Sequence, residues 1–150
     1  MPLTESSRIR WGRIALAALL SEVLVVVVLI VITTTYRFLI APGRTAEEYS
    51  AFSELAGYYV APTAAGLATL FAAVWVGRKL TSAFITSGIL VGVAAVVLTG
   101  GFIFIAKPED RLMYGVSFVL RIAGGYIGGA VAQRRFIRRP ASVPAWREAS

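Results

Sequence analysis

The chain has 150 residues, 57% of them apolar and only 15% charged, with a net charge of +7 and a mean hydropathy of +0.74. Soluble domains of this size sit near about 45–50% apolar and about 25% charged, so the composition is that of a membrane protein with room for one domain. Cysteine and histidine are both absent, which excludes disulfide frameworks, thiolate zinc centres and Ser/His/Asp or Cys/His catalysis; no enzyme, cofactor or metal site is expected.

The elements follow in chain order. Met1 to Arg10 is polar, and Arg8, Arg10 and Arg13 with Trp11 form a basic, aromatic flank suited to the headgroup level. A first span is predicted over about 12–33. Its apolar run, residues 14–32, is about 19 residues and roughly 28 Å as a helix, enough to cross a bilayer core. Thr33-Thr34-Thr35-Tyr36-Arg37 follows rather than a small-residue cleavage site, so this is read as an uncleaved span.

Residues 34–57 form the longest connection, with a turn at Pro42-Gly43. Thr45 and Glu48 have capping-box spacing, and Tyr49, Phe52 and Leu55 or Ala56 recur at helical spacing behind them. A short interfacial helix is expected there. The second span runs over about 58–77, with Pro62 in its outer turns as a start or kink. Gly57, Ala61, Ala65, Thr69, Ala73 and Gly77 make a small-residue ridge along it.

Arg78-Lys79 begins a very short connection, which makes the second and third spans antiparallel neighbours. The third span covers about 82–106, with Gly88 and Gly92 four apart as a close-packing pair and Gly100-Gly101 loosening its end. Lys107-Pro108-Glu109-Asp110-Arg111 turns into a fourth span over about 112–133. That span holds Arg121 and two overlapping packing pairs, Gly124/Gly128 and Gly125/Gly129. Arg134, Arg135, Arg138 and Arg139 close it as a topology anchor, with anionic lipid headgroups as a secondary partner. Residues 140–150 read as a disordered cytoplasmic tail.

The fold expected is therefore all-α: four transmembrane helices in an antiparallel bundle over residues 1–139. Lys and Arg gather at the N-terminus, at the 78–79 connection and in the tail, whereas Arg37, Arg44, Lys107 and Arg111 are left for the other side. By the positive-inside rule both termini face the cytoplasm of a cell inner membrane. The positive charge sits where topology places it, so nucleic acid is not an expected partner.

Two ionisable residues lie deep in the apolar runs, Glu22 and Arg121. A carboxylate at that depth costs about 2.5–3.5 kcal/mol on insertion scales, so it calls for a partner or a role. Glu22 is about eight residues from the basic start of its span, and Arg121 eight to nine from the opposite start of the antiparallel fourth span. Their depths differ by about 5 Å, within an arginine's reach. Arg121 shares a row with Ser117, Gly125 and Gly129, and Glu22 a face with Ala15 and Ala18. Two readings stand. The pair locks the bundle through a bidentate bond, or Glu22 is a protonatable or cation-binding residue in a transport path with Arg121 as anion contact or charge control.

Two resemblances follow from these residues. The basic start, Gly77-Arg78-Lys79, Gly88-x-x-x-Gly92 and Gly124-Gly125-x-x-Gly128-Gly129 before a basic tail resemble the small four-span bacterial membrane proteins of no assigned function, which implies no activity. Ala17-Ala18-Leu19-Leu20-Ser21-Glu22-Val23 is similar to the first span of small multidrug resistance transporters, which would make Glu22 a coupling residue. The Trp-containing third-span pattern of that family is absent, and Arg121 departs from it, since a neighbouring cation keeps Glu22 ionised and opposes cation binding. The function expected is a structural or accessory membrane component that self-associates or joins another membrane protein. The alternative is a small proton- or cation-coupled transporter using Glu22.

Overall fold

The computed structural model describes residues 10–108 and 110–137. Arg8, Glu109, Arg138, Arg139 and the tail at 140–150 lie outside the described residues. Those described form α1 (Trp11–Thr35), a π-helical turn (Tyr36–Ile40), α2 (Ala46–Gly77), α3 (Phe84–Gly100), the single turn α4 (Phe102–Ile105) and α5 (Arg111–Ile137), with no strand among them. Four helical segments are long and apolar enough to cross a membrane: Trp11–Ile40, Ala46–Gly77, Phe84–Ile105 and Arg111–Ile137. The protein is an all-α four-helix multi-pass membrane protein. Helices are the economical answer to this sequence, because lipid offers the backbone no other hydrogen-bond partner. That outweighs the β-branched run of Val25, Val26, Val27 and Val28 inside α1.

The predicted interfacial helix is not a separate element. Residues 46–57 are helical, but they continue into the second span as one 32-residue helix with Pro62 inside it. Pro62 only removes one donor, the N–H that would have reached the Tyr58 carbonyl, and the helix passes through. Its start is fixed by a complete capping box: the Thr45 side chain accepts from the Glu48 backbone, while Glu48 Oε2 accepts from the Thr45 N–H at 3.0 Å. That backbone bond, then Arg44 at 2.6 Å, holds the exposed Glu48 carboxyl below the usual carboxylate range. The connection into α2 is pinned by Tyr36 stacked on Phe52, with centroids 3.7 Å apart, and by Tyr49 donating to the Ala41 carbonyl at 2.8 Å.

α5 packs against both α2 and α3, and α1 packs against the same two helices. α1 and α5 therefore stand at the far corners of the bundle. The face that α1 buries is Ile14, Ala17, Ala18, Ser21 and Val25. Ala15, placed on the Glu22 face by spacing, is exposed instead, while Ala18 is buried. The other faces of the four helices carry large exposed apolar side chains, such as Leu19, Val26, Leu67, Phe71, Val97 and Val119, as a lipid-facing surface requires.

One end of the bundle gathers Arg10, Arg13, Arg78, Lys79, Arg134 and Arg135 and is called the basic end below; the opposite end gathers Arg37, Arg44, Lys107, Asp110 and Arg111.

Candidate functional site

The site is built on α5. Its two glycine pairs are offset by one residue, about 100° around a helix, so they serve two neighbours. Gly124 and Gly128 face α2, against Gly66, Leu70 and Ala73, while Gly125 and Gly129 face α3, against Gly88, Phe84 and Ile85. A Cβ at Gly129 would lie 2.7 Å from the Phe84 carbonyl oxygen, and one at Gly92 would lie 2.7 Å from that of Arg121. Only glycine allows backbones this close. The half of α5 from Arg121 to Ala132 is thus seated directly on α2 and α3, and Gly92 lets α3 touch the backbone of Arg121 itself.

Gly66 was not singled out by spacing, since it lies off the ridge of four-residue steps. It takes the approach of Leu120 and Gly124 on α5. A second small-residue contact at the basic end joins Gly77 to Ala132.

The structure brings Glu22 and Arg121 together. Arg121 Nε donates to Glu22 Oε1 at 2.9 Å and Nη2 donates to Oε2 at 2.8 Å, a two-bond fork across the bundle. Nη1 donates to Ser117 Oγ, one turn before it on α5. The Arg121 side chain is 7% exposed and that of Glu22 18%. Because α1 and α5 stand at far corners, the pair reaches between helices that each pack mainly on α2 and α3. Ser21, beside Glu22, turns its hydroxyl back to the Ala18 carbonyl at 2.7 Å and leaves the carboxylate to Arg121.

Above this pair, toward the end opposite the basic one, α5 is no longer held by glycines, and a cavity of about 690 Å³ opens. Its floor includes Arg121 and Ser117; its rim carries Glu54, Lys107 and Asp110. Tyr58 and Tyr114 stand between, with Leu29, Phe102 and Met113 on the apolar walls. Glu22 does not line it, so a molecule descending the cavity meets the guanidinium first. Pro62 and Tyr58 both line it. From the start of α5 to Arg121 is about 15 Å of helix. No sequence signal marked this cavity, because its lining is contributed by all four spans and their connections.

At the basic end Arg78 and Arg135 flank a smaller recess of about 330 Å³ between α2 and α5. Arg134 and Arg135 are exposed. Arg13 lies over the Trp75 ring at 5.3 Å and ties α1 to α2 there. Among the described residues no group of three or more acidic side chains is placed to hold a metal ion.

No family model, curated protein or solved structure matches the chain. The functional reading therefore rests on the geometry of the pair and of the cavity above it.

Proposed function

We propose that the chain is a structural or accessory protein of the bacterial inner membrane, with no enzymatic activity and both termini cytoplasmic. Its Glu22–Arg121 pair fixes the relation of α1 to the glycine-packed block of α2, α3 and α5. The observation that carries this is the two-bond fork between helices at far corners of the bundle. A buried pair of this kind selects one arrangement of the helices, since any register that parts the charges strands both in a poorly polar medium. The exposed arginines 134 and 135 fit anionic lipid headgroups. The apolar outer faces fit lipid or a second membrane protein, including another copy of the chain.

Thermal unfolding in detergent tests the lock. Glu22→Gln leaves Arg121 charged and unpaired and is expected to cost about 3 kcal/mol. The exchange Glu22→Arg with Arg121→Glu is expected to recover part of that loss. An unchanged melting temperature in Glu22→Gln overturns the lock.

A second reading, a small proton- or cation-coupled transporter using Glu22, draws support from one observation: the cavity that descends to Arg121, one half of the pair, and to Ser117, its hydrogen-bond partner.

A further inference from the structure

The identity of the group at the cavity floor decides what the cavity can hold. Arg121 lines it and Glu22 does not, so the floor favours a hydrogen-bond acceptor over a cation. Arginine has five N–H groups in a planar fork. Two donate to Glu22 and one to Ser117, which leaves one N–H on Nη1 and one on Nη2 without a partner among the described residues. The side chain is more than nine-tenths buried, so a carboxylate reaching it exchanges water for a two-bond contact of the kind Glu22 already makes.

Charge limits how that exchange occurs. In a medium this poor in water a guanidinium between two carboxylates carries an uncompensated negative charge, which is expensive. The site stays neutral only when the incoming anion arrives with one proton and Glu22 receives it. In balanced form, a carboxylate and one proton enter; Glu22 takes the proton and becomes the neutral acid; the ligand's carboxylate becomes the counter-ion of the guanidinium through the free Nη1 and Nη2 N–H groups. Among the described residues, no other carboxylate lies at the level of the pair. α2 has none from residue 60 to residue 77, and α3 has none along its length. Arg121 faces Glu22 from α5, and Arg13 lies a little over two turns away at the basic end of α1. Glu54, Tyr58, Lys107, Asp110 and Tyr114 stand in the upper cavity.

The walls define the rest of the ligand. Leu29, Ala61, Phe102 and Met113 offer an apolar sleeve below the rim. The two rim carboxylates outnumber the one lysine, so a second negative charge on the ligand is disfavoured. We propose that the cavity is a binding site for small monocarboxylates with an apolar body, each taken up with one proton that Glu22 accepts as the ligand replaces it as the counter-ion of Arg121. This deepens the second, transport reading and does not depend on the lock.

Benzoate is the probe, with benzamide as its neutral counterpart, succinate as a dianion and benzyltrimethylammonium as a cation. Calorimetry of the full chain in detergent, in buffers of different ionisation enthalpy, counts the protons taken up. Wild type is expected to bind benzoate with uptake of about one proton and with affinity falling about tenfold per pH unit where Glu22 is ionised before binding. Glu22→Gln, in which Arg121 has no resident carboxylate, is expected to bind benzoate more tightly at pH 8, without pH dependence or proton uptake. Its melting temperature should rise on adding benzoate, which restores the missing carboxylate from outside. The doubly neutral variant Glu22→Gln/Arg121→Gln, which buries no unpaired charge, should fold and show neither effect.

Absence of benzoate binding by Glu22→Gln overturns the proposal. So does benzamide matching benzoate, or tighter binding of succinate or of the cation. Failure of the lock would show instead in the melting temperature of ligand-free Glu22→Gln, so the two ideas fall separately. Fluxes of benzoate and protons into liposomes decide whether the bound ligand is also carried across; binding without flux removes the transport reading and leaves the site.

Discussion

At the residue scale, the same glycine has opposite value in different places. Gly125 of α5 rests on the Gly88 carbonyl of α3, so its replacement by alanine forces the two helices apart. The expected loss for Gly125→Ala is about 1–3 kcal/mol, read as a lower melting temperature in detergent. Gly115, ten residues earlier on the same helix, has nothing within 4 Å of an added Cβ. Gly115→Ala is expected to stabilise by about 0.5–1 kcal/mol, since a helix-interior glycine costs that much backbone entropy. Equal effects of the two substitutions would mean that α5 does not sit against α3 as described. Much of this scale is legible in the sequence. Glu22 and Arg121 stand out as charges in apolar runs, and the doubled Gly-x-x-x-Gly marks a packing helix. What the sequence withholds is the partner of each residue. Gly66 has no pattern of its own and matters only because Leu120 and Gly124 come to it. Ala15 and Ala18 look alike at three-residue spacing, but only Ala18 is turned inward, because the α1 face is centred on Ile14, Ala17, Ser21 and Val25.

At the element scale, local signals and membrane physics pull on the same segments with different strength. The Thr45–Glu48 capping box forms as its spacing predicts. Pro62, read as a start or kink of the second span, does not start it: the helix is continuous through Pro62, with only the bond to the Tyr58 carbonyl lost. The connection from α2 to α3 holds a clearer local cost. Ala83, the residue before α3, has φ 55° and ψ 34°, the left-handed region. An L-residue with a Cβ pays roughly 1–2 kcal/mol there, whereas glycine adopts it freely at some cost in unfolded-chain entropy. Ala83→Gly is therefore expected to raise stability by up to about 1 kcal/mol, and Ala83→Val to lower it. The pair of melting temperatures checks this; a loss on Ala83→Gly would mean that the turn is not left-handed. The sequence offers no hint of it, since alanine is a helix former and the turn's shape comes from how closely α2 and α3 must pack around Gly77 and Phe84.

At the scale of the whole molecule, the bundle is asymmetric along its axis. Toward the basic end, glycine and alanine contacts from Arg121 to Ala132 close it; toward the other end, the space between all four spans opens over Arg121. Which end faces the cytoplasm therefore decides from which side a ligand reaches the pair. In the proposed topology the basic end is cytoplasmic and the cavity opens to the outside. The chain has no cysteine, so single cysteines report topology without background. Ser53, exposed on the first turns of α2, and Ser82, exposed in the connection before α3, lie at opposite ends. With a membrane-impermeant maleimide, Ser53→Cys is expected to label in intact spheroplasts and Ser82→Cys only in inverted vesicles. The reverse pattern would turn the cavity toward the cytoplasm and make the proton that accompanies a bound carboxylate a cytoplasmic one. It would leave the Glu22–Arg121 geometry as it is, because that follows from packing and not from orientation.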